Sequence, residues 1–242
     1  MHIGLIGGIG PAATDFYYRR LIAACAARGR PLELTIVHAD TPTLLRHLAD
    51  DDRTAQVAIY MQLTARLVAA GAACVVVTSI AGHFCIAEFE AVSPLPVLNL
   101  LTVVREAIDV LGLTRVGVLG TRTVMASRMY GLASRATLLA PSGQDLDSVH
   151  DAYVQMAAAG VVTDAQRRVF DNVAGRLLHD ADAEAILLGG TDLALVYSAD
   201  TAPFPLVDAA GLHADATVAW ACREGEQAGD VEHRGPAASA ST

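Results

Sequence analysis

The chain alternates short, unbroken apolar runs with longer stretches of helical periodicity from one end to the other. Runs at Ile3–Ile6, Leu34–His38, Cys74–Thr78, Val97–Asn99, Arg115–Leu119, Ala185–Leu188 and Leu206–Asp208 are bounded mostly by Gly, Pro or Asp. A strand wetted on one face alternates apolar and polar residues, whereas one that reads apolar throughout is covered on both faces. Repeated through a chain with intervening helices, that pattern means α/β architecture with parallel sheets. The periodicity predicts helices over Ala12–Arg28, Arg53–Ala70, Leu101–Leu111 and Thr163–Ala181. The second opens after Asp50-Asp51-Asp52, where carboxylates suit the positive end of the helix dipole.

The runs repeat. His2–Gly10 is similar to Arg115–Thr123, Cys74–His83 to Ala185–Ala194, and Leu95–Asn99 to Phe204–Asp208. All three pairs are offset by roughly 110 residues, too long for a solenoid unit and right for two similar halves. The expected fold is therefore two α/β halves related by a pseudo-two-fold axis, each a parallel sheet flanked by helices. Residues 1–99 plus 209–228 form one domain and 100–208 the other. A ligand is expected in the cleft where strand C-termini from both halves converge. From Glu224 onward apolar periodicity is lost, and 229–242 reads as a mobile tail.

Composition excludes several classes. With a formal net charge of -9, the chain has no electrostatic footprint for nucleic acid or an anionic membrane surface. It contains no lysine, so Schiff-base chemistry through a lysine is excluded. The four cysteines, Cys25, Cys74, Cys85 and Cys222, form no C-x-x-C pair, which suggests neither a zinc site nor a disulfide framework. No metal site is expected, and a reducing cytoplasm is the default compartment. The opening residues lack a basic segment and meet glycines too early for a signal peptide, and no apolar run is long enough to span a membrane.

Gly7-Gly8-Ile9-Gly10-Pro11-Ala12-Ala13-Thr14 sets a glycine-rich turn between a strand and a helix, where backbone amides can hold an anion. Gly8-x-Gly10-x-x-Ala13 imitates a dinucleotide fingerprint. However, Asp40 follows about 30 residues on, instead of the ~20 expected of a ribose-binding acid. A nicotinamide-dependent oxidoreductase is thus the third-ranked reading.

That opening motif, continued by Asp15-Phe16-Tyr17, resembles the start of the aspartate/glutamate racemase superfamily. Asp52-Arg53-Thr54 is similar to the family's substrate-carboxylate segment. Gly117–Val124, with Ser127 and Tyr130, is similar to the opening of its second half, and Leu188-Gly189-Gly190-Thr191-Asp192 and Val207-Asp208-x4-His213 complete a likeness over nearly the whole chain. The resemblance implies a cofactor-free enzyme of small carboxylates, commonly a homodimer, that inverts an α-carbon between two cysteine thiols. Those two positions fall on Ser79 and Gly190. A serine hydroxyl is a far weaker acid than a thiol of pKa ~8.5, and glycine has no side chain, so two-thiol racemisation is not expected. The family's Lys-x-Gly segment corresponds to Met156-Ala157-Ala158-Ala159-Gly160, which makes plain aspartate a poor substrate.

The resemblance supplies the remaining candidates. Ser79, His83, Thr191 and Asp192 are the expected catalytic groups, with His83 touching the Ser79 hydroxyl or acting as a base in the cleft. Gly8, Gly10, Arg53, Thr54, Thr78, Thr121, Thr123 and Gly190 are the expected substrate-binding residues, with Arg53 clamping a carboxylate. The structural alternatives are that His83 packs or caps, that the threonines satisfy strand ends, and that Arg53 pairs with Asp50, Asp51 or Asp52. The expected chemistry is isomerase- or lyase-like, at or next to the α-carbon of a small carboxylate. A non-catalytic carboxylate-binding protein on the same scaffold is the principal rival.

Overall fold

The computed structural model describes residues 1–8, 11–198 and 201–232. The first half contains β1 (His2–Gly7), α1 (Pro11–Ala27), β2 (Glu33–His38), α2 (Thr41–Ala49), α3 (Arg53–Ala69), β3 (Cys74–Val77), a 3₁₀ turn at Ala81–Cys85, α4 (Ile86–Val92) and β4 (Val97–Leu98). After α5 (Leu100–Val110) follow β5 (Arg115–Gly120), α6 (Arg122–Ala126), the single turn α7 (Arg128–Gly131), β6 (Thr137–Leu139), α8 (Gly143–Ala159), α9 (Asp164–His179), β7 (Ala185–Gly189), a 3₁₀ turn at Thr191–Leu195, β8 (Leu206–Val207) and α10 (Ala209–Glu232). No helix among the described residues is long and apolar enough to cross a membrane.

Two four-stranded sheets result, ordered β2-β1-β3-β4 and β6-β5-β7-β8, and every strand pair is parallel. The orders are the same once the second set is renumbered, which is the structural form of the sequence repeat. The central strands are the most deeply buried. All four residues of β3 and all five of β7 are buried, because helices cover both faces. β2 lies at an edge, and all its residues are intermediate or exposed.

Local chemistry fixes the helix starts. Asp40 caps α2 by accepting the Thr43 amide at 2.9 Å, and Asp52 caps α3 through the Ala55 amide at 3.0 Å. Thr163 and Gln166 form a reciprocal capping box on α9. At Gly8 φ is +113°, and a Cβ there would lie 2.7 Å from His38 Nδ1 and closer still to the Ala39 carbonyl. Only glycine fits, and Gly8→Ala is expected to lower stability by more than about 1 kcal/mol in a denaturant titration, since backbone strain and overlap add.

Helix α10 returns to the first sheet. Its Ala210, Ala214, Val218 and Ala221 share a core with Ile3, Leu5, Tyr17, Leu21, Cys74 and Val76. That packing supports, as a proposal, the assignment of the C-terminal helix to the same unit as residues 1–99. The helix runs to Glu232. Residues 233–242 lie outside those described.

Candidate active site between the two sheets

Parallel strands present their C-terminal ends, and the loops that follow them, on one side of each sheet. Ser79 follows β3, Thr121 follows β5 and caps α6, and Asp192 lies in the 3₁₀ turn after β7. All three line one cavity of about 230 Å³, closed by Thr41 and Leu45 of α2 and by Tyr153, Val154, Ala157 and Ala158 of α8. Among the described residues no arginine or histidine lines it. The stretch that resembles the lysine-bearing family segment thus contributes two alanine methyl groups instead of a cation.

One tie between the halves sits beside the cavity. Arg128, Met129 and Tyr130 take left-handed conformations with φ of 52°, 56° and 57°. Each non-glycine residue there costs about 1–2 kcal/mol relative to a right-handed turn. The turn directs Tyr130 Oη to the Ala81 carbonyl at 3.3 Å, and Ala81 is itself part of the cavity wall.

At Gly190, the position the resemblance gives to a second thiol, the side-chain space is already filled. Gly190 has extended backbone, so its lack of a side chain is not a conformational requirement. A Cβ placed on it would lie 2.7 Å from Tyr153 Cζ, 2.8 Å from Tyr153 Oη, and nearer to Cε2. The tyrosine ring therefore occupies the volume a residue-190 side chain would take. Tyr153 Oη donates to Asp192 Oδ2 at 2.9 Å, and both residues are buried. Among the described residues Asp192 Oδ1 has no hydrogen-bond partner. Burial raises the Asp192 carboxyl pKa above its ordinary value, opposed by the Tyr153 hydrogen bond and by the Ala13 backbone amide at the start of α1. Burial and the adjacent carboxylate both push the Tyr153 phenol well above its usual range. Sequence reasoning passed over Tyr153. Its helix was not predicted, and a tyrosine within an Ala-rich segment shows nothing of its contact with Gly190.

The other predicted residues fall into three groups. Ser79, Thr121, Thr191 and Asp192 stand at the strand ends as expected, although Thr191 faces a second, larger cavity of about 660 Å³ between α1 and its own turn. Asp192 borders both cavities. Thr78 is buried and donates to the Ile6 carbonyl at 3.3 Å, while Gly8 turns its amide to Thr14 Oγ1 at 3.1 Å and its carbonyl to Thr41 Oγ1. Thr78 and Gly8 hold the strand ends together and do not line the small cavity. Thr54 and Thr123 are exposed, and Gly10 lies outside the described residues.

His83 requires a correction. It is buried, and its Nδ1–H donates to the Ser79 carbonyl at 2.7 Å, not to the hydroxyl, while Nε2 accepts the Leu100 amide at 3.4 Å. Burial lowers its pKa to about 4, outweighing the raising effect of the Ser79 bond. A neutral ring with both nitrogens bound to backbone is a brace under Ser79, not a base in the cleft. Arg53 is also turned elsewhere: it pairs with Asp51 at 3.0 Å and Glu88 at 3.1 Å, with its side chain 46% exposed. Exposed pairs of this kind contribute about 0–1 kcal/mol. Arg53→Gln is therefore expected to change both stability and carboxylate affinity little. A loss of affinity beyond tenfold by calorimetry would restore the carboxylate clamp. Cys74 and Cys85 are fully buried, and burial pushes both thiols up to about 12, so neither replaces the missing pair.

Residues 6–217 match the sequence pattern of the Asp/Glu/hydantoin racemase family. The chain belongs to that family. Solved structures of racemase-family proteins share the fold. One from Yersinia pestis, classed as an Asp/Glu racemase, superposes with a TM-score of 0.77 at 24% identity over 92% of this chain and 100% of its own. An aspartate racemase homologue from Pyrococcus horikoshii gives 0.76 at 19% identity over 91% and 99%. Glutamate racemase from Francisella tularensis, solved with D-glutamate, gives 0.65 at 15% identity over 93% and 82%. At these identities the likeness establishes the racemase-family architecture of two parallel sheets and leaves the reaction to the residues of the site.

Proposed function

We propose that this racemase-family protein is a cofactor-independent enzyme acting at or next to the α-carbon of a small carboxylate held in the 230 Å³ cavity. The observation that carries the reading is the convergence of Ser79, Thr121 and Asp192 on one cavity from loops after β3, β5 and β7, strands of both sheets. Thr121 Oγ1 accepts the Val124 amide at 3.4 Å, which leaves its own proton to donate to a carboxylate or enolate oxygen. With no cationic lining among the described residues, hydroxyls clamp one carboxylate and leave a second among apolar side chains, which suits a monocarboxylate, or a malonic acid that sheds the second group, better than an amino diacid held at both ends.

The chemistry that fits is isomerase- or lyase-like and needs a proton from one face only. Among the described residues no thiol lines this cavity on either side to perform two-thiol inversion. The test is incubation of the protein with a panel of amino, hydroxy and malonic acids, read by chiral chromatography and mass spectrometry. Turnover of a monocarboxylate or malonic acid, with aspartate untouched, is the expected result. Saturable binding without turnover of any acid would instead support the non-catalytic carboxylate-binding protein. Reduction or oxidation only in the presence of NAD(P) would support the oxidoreductase. Homodimerisation belongs to the proposal and is checked by sedimentation.

A further inference from the structure

We infer that the Tyr153 hydroxyl is the proton donor on the Gly190 side of the cavity, standing where the family's second thiol would stand, and that Asp192 resupplies its proton. The inference rests on the proposed cofactor-independent chemistry and names the group that performs it.

Three observations carry it. The first is position: the phenol oxygen lies 2.8 Å from where a residue-190 Cβ would be, so it occupies the neighbourhood of a side chain from that residue. The second is access, since Tyr153 belongs to the wall of the cavity that Ser79 lines, and donor and Ser79 share one small space. The third is the route for proton return. Tyr153 Oη is bonded to Asp192 Oδ2 at 2.9 Å, and Asp192 also borders the 660 Å³ cavity between α1 and the Thr191–Leu195 turn. Gly190 and Tyr153 are thus complementary: the glycine makes room for a ring that brings its own acid and its own relay.

The step balances as a single protonation. In a malonic acid substrate the Cα–carboxylate bond breaks, carbon dioxide leaves, and the electron pair remains on the α-carbon as an enediolate. The Tyr153 O–H bond then breaks and a Cα–H bond forms with that pair. Solvent on the side of the larger cavity then delivers a proton to the Asp192 carboxylate, which passes it across their hydrogen bond to the phenolate and returns to its starting state. A raised pKa keeps the phenol protonated and ready to donate, and a phenol remains a far stronger acid than the α-C–H bond it forms, so the arrangement donates without having to abstract. One donor on one face gives one stereoisomer.

The test uses the full chain in deuterium oxide with methylmalonate and ethylmalonate, read by NMR for α-deuterated product. Tyr153→Phe keeps the ring and loses the hydroxyl. It is expected to retain acid binding within about threefold by calorimetry and to lose turnover by roughly 10²- to 10⁴-fold, the range supplied by a positioned acid. Iodoacetamide is expected to leave wild-type turnover unchanged. If Tyr153→Phe fails to fold, as judged by circular dichroism, Asp192→Asn carries the test. It keeps the phenol and is expected to slow turnover at least tenfold and to alter the pH profile of kcat. An active wild type with Tyr153→Phe within tenfold of it would overturn the assignment and leave the proposed function standing. An active wild type inactivated by iodoacetamide would move the donor to a cysteine. A wild type that binds these acids but turns over none of them, nor any acid of the wider panel, would overturn both the proposed function and the assignment.

Discussion

Gly190→Cys, which puts a thiol at the position the family resemblance gives to one, is expected to weaken the fold and not to create a racemase. The new Cβ meets the Tyr153 ring, 2.7 Å from Cζ and nearer to Cε2. The ring cannot step aside cheaply, because it is buried and its hydroxyl is tied to Asp192. Overpacking of this kind costs about 1–3 kcal/mol. Displacing the phenol also takes from the buried Asp192 its side-chain hydrogen bond, which adds about 1–3 kcal/mol. Tyr153→Ala alone is costly as well, about 3–5 kcal/mol for loss of a buried aromatic ring. In that background, however, Gly190→Cys is expected to be neutral or stabilising, because the thiol enters a space the ring has left. The two substitutions thus couple strongly, and a double-mutant cycle by urea denaturation reads the coupling directly. Additivity within about 0.5 kcal/mol would mean that the ring does not fill the residue-190 space.

Mild acid is expected to destabilise the protein more than its surface charges suggest. His83 and His213 face each other edge to face with ring centroids 6.1 Å apart, and burial holds them neutral, with pKa values lowered to about 4 and about 3. His213 Nε2–H donates to the Leu98 carbonyl at 2.7 Å, and its Nδ1 accepts Tyr17 Oη at 2.8 Å, so neither ring has a carboxylate to receive a second proton. In the unfolded chain both titrate near 6.5. Below that pH the unfolded state binds protons that the native state refuses. Stability is therefore complete above 6.5 and falls as the pH drops toward 4, by up to about 1.4 kcal/mol per pH unit for each histidine. For His83 alone this amounts to roughly 3 kcal/mol across its window. The buried Asp192 and Asp208 carboxyls, whose pKa values burial raises, oppose the fall in the lower part of the window. Urea titrations between pH 8 and 5 are expected to show a steep loss of stability, flattened by about one proton in His83→Gln. A stability independent of pH over that interval would show that these histidines charge within the fold.

The architecture was legible because it is written in the burial pattern. Cys74–Val77 and Ala185–Gly189 read apolar in sequence because helices cover both faces of each central strand, and the repeat offset carried over to two sheets of the same order. β6 at Thr137–Leu139 was missed although the shorter edge strands β4 and β8 were read: those lie in the repeated Leu95–Asn99 and Phe204–Asp208 segments, and no such repeat marks β6. Helix α8 was missed for another reason: its Ala-rich second half has little contrast between faces. The site was legible only where chain position fixes chemistry, as at Ser79, Thr121 and Asp192 on strand ends. It was not legible where a side chain chooses between partners. His83 stands four residues from Ser79 as read, but the 3₁₀ turn aims its ring at the Ser79 carbonyl instead of the hydroxyl. Arg53 has two carboxylates within 3.1 Å, and local spacing revealed only one of them. Tyr153 and Gly190 lie 37 positions apart, and nothing local in either segment reports that one fills the space of the other.

The most direct test is a crystal structure with a slowly reacting small acid, such as dimethylmalonate, bound to the wild-type protein. The account predicts the acid in the 230 Å³ cavity, one carboxylate on the Thr121 and Ser79 hydroxyls and the α-carbon within contact of Tyr153 Oη. An acid seated against Arg53, or in the larger cavity between α1 and the Thr191–Leu195 turn with Tyr153 out of reach, would contradict it.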